Sequence, residues 1–214
     1  MRFIAFVSSV AIAGVAQAGF VDPLIPSWAG NPNSRFAQWE SFSQPNGGAN
    51  VADVPTSVPY SLFNFSPGAT LSGGNIVGTG GPLFVQIMGW TIGNAAMPTD
   101  VVLNVATDGT SMNAFSVRMT IFDNAGNSMQ FSPGASALRF NQPTASGAAQ
   151  NWAFTWSLPA FNFQASGFRV EFGASQANMT LDAVRLDLNY AAVPGPGVIA
   201  ASSLVCLGAR RRRR

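Results

Sequence analysis

The side chains that could do acid–base or nucleophilic chemistry in this 214-residue chain form a short list. There is no histidine and no lysine, and the one cysteine, Cys206, lies in an apolar run near the C-terminus. Ser-His-Asp and Cys-His triads, histidine-bound zinc and lysine Schiff bases are therefore excluded. Paired carboxylates remain, and two of them suffice for glycoside hydrolysis. The acids that could serve are Glu40, Glu171, Asp182 and Asp187. Glu171 alternates with Arg169 on one strand face and Asp182 stands near Arg185, so surface ion pairing accounts for them. The chain is read as non-enzymatic, with no catalytic residue assigned.

Two loops carry acids that could hold calcium through carboxylate and carbonyl oxygens: Asp108-Gly109, and Asp123-Asn124 with Asn127. Neither has the dense Asp-x-Asp spacing of a dedicated calcium loop, and Asp and Asn in turns hydrogen-bond their own backbone. Calcium is thus the more credible ion, and no cofactor is assigned. The tryptophans could stack on pyranose rings. Trp152 and Trp156 fall on one face of a strand with Phe154, as a sandwich core requires. Trp28 and Trp39, in a Pro-rich stretch, are the aromatics expected to face a ligand.

The formal charge of +2 is misleading, because five of the eleven basic residues are Arg210 to Arg214. Residues 19–193 hold five arginines against nine acids, a net charge of −4. No basic patch for nucleic acid exists in that region.

The elements that must position these residues read as β. Leu83–Met88, Val101–Val105, Trp152–Trp156, Phe168–Phe172 and Met179–Leu188 are short apolar or alternating runs. Phe115, Val117, Met119 and Ile121 alternate onto one face, and Ser128–Phe131 is placed to pair back across the Asp123–Asn127 loop. Runs separated by Gly, Pro, Asn and Asp indicate an antiparallel sandwich. Residues 19–60 read as a Pro/Gly/Asn-rich arm with one or two short strands, packed on the domain through its aromatics, and residues 61–192 as the sandwich. The closing Leu-Asp-Ala-Val-Arg-Leu run is similar to the last strand of jelly-roll, carbohydrate-binding-like modules. The expected fold is a single all-β, jelly-roll-like sandwich, flanked by an N-terminal signal helix and a short C-terminal apolar helix.

The two ends read as addresses. Arg2, an apolar core over residues 4–15 and Ala16-Gln17-Ala18 form a secretory signal over residues 1–18, with cleavage by signal peptidase leaving Gly19 first. Residues 193–214 hold Val193-Pro194-Gly195-Pro196, a twelve-residue apolar run and then Arg210, Arg211, Arg212, Arg213 and Arg214. That run is about 18 Å long as a helix, short of a hydrocarbon core about 30 Å thick. It suits a transient anchor, with the arginines on the cytoplasmic side.

A Pro-rich motif, a brief apolar helix and an Arg cluster, paired with an export signal, resemble the PEP-CTERM sorting signal of bacterial exported proteins. The resemblance covers the tail, and Gly195 stands where that family usually has Glu. It implies processing by an exosortase-type membrane protease. The expectation is an exported protein, held at the inner membrane and then passed to the cell surface or matrix, with a structural or adhesive role. The alternative is a carbohydrate-binding module for extracellular polysaccharide. A carboxylate-dependent glycoside hydrolase is the second alternative.

Overall fold

A computed structural model describes residues 19–54, 60–90, 98–159 and 165–190. The signal segment, the Val193–Pro196 motif, Cys206 and the arginine cluster lie outside these residues, as do both expected helices. The described chain is nearly all β, arranged as two antiparallel sheets.

Sheet I holds β1 (Ser34–Trp39), β4 (Thr70–Ser72), β5 (Asn75–Val77), β7 (Pro98–Gly109), β10 (Ala135–Thr144), β11 (Gly147–Ser157) and β13 (Met179–Tyr190). Its order is β10-β11-β7-β13-β5-β4, and β1 also pairs with β13. The twelve-residue β13 is therefore lined by β7 on one edge and by β1 and β5, end to end, on the other. Sheet II has the order β2-β3-β6-β12-β8-β9. Its strands are β2 (Asn50–Val51), β3 (Tyr60–Asn64), β6 (Phe84–Trp90), β8 (Arg118–Phe122), β9 (Ser128–Phe131) and β12 (Gly167–Gly173). Apart from the hairpins β2–β3, β4–β5, β8–β9 and β10–β11, each connection passes from one sheet to the other.

Period-two alternation explains what the sheets bury. Leu103, Val105, Phe154, Val184 and Leu186 from sheet I share one core with Val85, Ile87, Met119, Ile121, Val170 and Phe172 from sheet II. In β7 both faces are buried from Val101 to Thr107. The N-terminal stretch causes this by crossing the outward face of sheet I. The Leu24 amide donates to Asn104 Oδ1 at 2.8 Å, and Asn104 Nδ2 donates to the Leu24 carbonyl at 3.1 Å. Asp22 pairs with Arg139 of β10 at 2.9 Å.

The stretch 19–60 contributes two short strands, β1 to sheet I and β2 to sheet II. One local expectation needs correction. Phe115 does not share the face of Val117, Met119 and Ile121. It sits 89% exposed in a 3₁₀ turn (Ala114–Ser116). That turn is capped by Asn113, whose Oδ1 accepts from the Phe115 amide.

Candidate functional site

The four acids weighed as carboxylate pairs take separate places in the fold. Glu40 lies exposed beyond β1, Glu171 faces outward from sheet II, and Asp182 and Asp187 belong to sheet I. Asp187 is buried on the covered face of sheet I, where Arg185 binds both its oxygens at 2.8 Å. The same guanidinium stands 4.5 Å from the centroid of the Phe36 ring. Asp123 accepts the Ala125 and Asn127 amides and the Asn127 side chain, so its own loop saturates it. Those bonds, the Asn127 side chain first, hold its pKa below the ordinary carboxylate value.

Asp182 comes within reach of the charge of Asp108, a relationship that no local pattern of residues marks. A bulge between Leu181 and Ala183 inserts Asp182 as an extra residue in β13. Burial, then the nearby charge of Asp108, push Asp182 up to about 7. Asn75 Nδ2 donates to Asp182 Oδ1 at 2.9 Å. Burial works against the charge of Asp108 as well, but bonds from Ser146, Thr144 and the Gly109 amide outweigh it and hold that pKa low. Among the described residues, no three acids gather as a metal site would require.

Trp39, expected to face a ligand, is a core residue. It is 0% exposed and its indole Nε1 donates to the Asn50 carbonyl at 2.9 Å. Alternation along β1 turns Ala37 and Trp39 inward, opposite Leu186 and Val184 of β13. Trp28 is half-buried beside the outward face of sheet I, where it lines a cleft with Leu24, Pro26, Asp100 and Thr155.

The outward face of sheet II is where aromatics gather in the open. At one end Phe63 and Phe65 stack, with centroids 5.9 Å apart and planes 13° apart. Phe65 lies next to Phe84 through the bond from its amide to the Phe84 carbonyl. At the other end Trp90 meets Phe122 edge to face, 5.3 Å apart at 77°. Phe65 is 45%, Phe84 44% and Trp90 52% exposed. The six-residue step from Phe84 to Trp90 spans about 20 Å along β6.

Between the aromatic ends runs a polar stripe. Gln86 Nε2 donates to Glu171 Oε1 at 2.9 Å, and Arg169 Nε lies 3.3 Å from the same oxygen. Arg118 stands opposite Glu171, and Thr120 opposite Arg169. The Thr120 hydroxyl, screened from solvent, has no hydrogen-bond partner among the described residues. Glycines close both ends of the central strand. A Cβ on Gly167 would stand 2.8 Å from the Gly89 carbonyl oxygen and the Phe122 ring, and one on Gly173 only 2.2 Å from the Leu83 carbonyl oxygen.

No protein-family model matches the chain. No curated protein matches it. Among solved structures the chain is similar to the enzymatically active domain of tailspike protein 4 of bacteriophage CBA120. The identity is 13% and the TM-score 0.29. The match covers 73% of this chain and spans 19% of that one.

Aromatic faces at the two ends of a hydrogen-bonding stripe can hold an extended ligand with apolar and hydroxylated surfaces, by stacking and by directed bonds. Sequence reasoning missed this face because its residues come from four strands between Phe63 and Glu171. One signal was present: Phe84, Gln86, Met88 and Trp90 alternate with the core residues Val85 and Ile87.

Proposed function

We propose that this protein is an exported, non-catalytic adhesive module that holds extracellular polysaccharide on the outward face of sheet II. The observation that carries the reading is the placement of Phe63–Phe65 and Trp90–Phe122 at opposite ends of the half-buried polar stripe of Gln86, Arg169 and Glu171. Exposed apolar surface of this kind is retained where it contacts something. Sugar rings suit it, because each ring offers an apolar face to an aromatic and hydroxyls to amide, carboxylate and guanidinium groups.

The strand order supports a jelly-roll-like module, with β13 between β1 and β7 and β12 between β6 and β8. The export signal over residues 1–18 and the PEP-CTERM-like tail over residues 193–214 support delivery to the cell surface or matrix by signal peptidase and an exosortase-like enzyme. The test is affinity electrophoresis of the full chain in gels containing β-glucan, xylan, alginate or the exopolysaccharide of the producing cells. Retardation in at least one gel, lost in Trp90→Ala, is expected. Migration unchanged in all of them would overturn the reading.

A further inference from the structure

The cleft beneath the N-terminal stretch lies on the side of the molecule opposite the sheet II face. We propose that it is a second saccharide site, so that one molecule bridges two polysaccharide chains. The inference rests on the carbohydrate reading of sheet II and adds to it a second, independent contact.

The cleft measures about 370 Å³ and is lined by Leu24, Pro26, Trp28, Asp100, Thr155 and Ser157, among others. That volume falls at the lower end of the range for small-molecule sites, about 300–1,000 Å³. It is built in advance of any ligand. Leu24 is pinned to Asn104 by two hydrogen bonds. The turn after it is fixed by bonds from the Ala29 amide to the Pro26 carbonyl and from the Asn31 amide to the Trp28 carbonyl. A preformed site avoids part of the entropic cost of ordering on binding.

The chemistry offered is one aromatic ring beside oxygen donors and acceptors. Asp100 Oδ2 accepts from Thr99 Oγ1 at 2.9 Å and from Asn189 Nδ2 at 3.2 Å. Those two bonds fix the carboxylate while leaving Oδ1 without a partner among the described residues. The hydroxyls of Thr155 and Ser157 and the indole nitrogen of Trp28 are likewise without side-chain partners there. An indole, a fixed carboxylate and two hydroxyls suit the terminal or side-branch sugar of a glycan. This cleft is a local depression beside Trp28, whereas the open face of sheet II runs along a chain. Sheet I and sheet II lie back to back, so the two sites cannot engage the same stretch of one polymer.

The test uses the full chain and beads coated with whichever polysaccharide retards it in the gels above. Wild type is expected to cross-link the beads. Trp28→Ala, and separately Ser157→Trp, which fills the cleft from its exposed rim, should still be retarded in the gel yet lose bead aggregation at least tenfold. Wild type that is retarded but does not aggregate beads would overturn the second site and leave the first. Aggregation that survives both variants would do the same, since it would then arise from protein self-association. Absence of retardation altogether would remove the carbohydrate reading itself.

Discussion

Trp90 and Phe122 meet edge to face across the bare backbone of Gly167, with ring centroids 5.3 Å apart. Glycine is what lets a strand neighbour on each side lean over the central strand. Gly167→Ala should therefore do two things. The added methyl, forced against the Gly89 carbonyl and the Phe122 ring, should lower unfolding stability by about 1–3 kcal/mol. At a temperature where the variant is folded, it should also weaken polysaccharide retardation. Trp90→Ala should separate the two effects, since an exposed ring contributes little to folding. The expected loss in affinity is about 2 kcal/mol, or roughly thirtyfold, as for a buried aromatic anchor.

Trp39→Ala should behave in the opposite way. Removing a fully buried indole and its bond to Asn50 should cost about 3–5 kcal/mol in chemical denaturation. Binding measured at low temperature on the folded fraction should be unchanged. A loss of affinity with normal stability would mean that Trp39 reaches a ligand after all.

Asn104→Leu should unpin the N-terminal stretch. The Leu24 amide and carbonyl would lose their partners on the covered face of sheet I, at a cost of about 1–3 kcal/mol. Limited proteolysis should then cut between Val21 and Ile25 well before the sheets are attacked. Equal protection in wild type and variant would show that Asp22–Arg139 and the apolar contacts suffice.

The bulged Asp182 makes stability depend on pH in a direction unusual for an acid. Its folded pKa, about 7, lies above the ordinary 3.8. Its contribution is therefore complete below pH 4 and lost as pH rises toward 7. Asp108 has a lowered pKa and acts only below its ordinary value, so the window from pH 4 to 7 belongs to Asp182. Asp182→Asn should flatten the fall in Tm across this window, leave Tm near that of wild type at pH 4, and raise it by several degrees at pH 8. A wild-type Tm that does not fall between pH 4 and 7 would refute the assignment.

Intact mass and terminal sequencing of the protein from cells and medium should give a species beginning at Gly19 and ending near Pro196. A membrane-bound species that keeps Arg210 to Arg214 would instead make it a permanently tethered ectodomain.

The core was largely legible in the sequence wherever one strand face is dry. Val117, Met119 and Ile121, and likewise Trp152, Phe154 and Trp156, announce their inward face by alternation. Legibility failed where that contrast is absent. Nearly all of β10 is exposed, so no period marks it. In β1 the inward residues are Arg35, Ala37 and Trp39, of which a single large apolar side chain is too little to reveal a strand. The candidate face was harder still. Phe63, Trp90 and Phe122 come onto one face only through the registers of β3, β6, β12 and β8, which no local pattern encodes. The Asp108–Asp182 pair depends on a one-residue bulge, equally invisible in a list of residues.

The flanking of β13 by β7 on one edge and by β1 and β5 on the other has a mechanical meaning. Pulled from its C-terminal end along its own axis, β13 cannot peel away one rung at a time. Its ladders run parallel to the load, so many hydrogen bonds must shear together. A domain held at its C-terminal end while gripping a polymer would pass the drag of flowing water through this strand, which is paired along both edges.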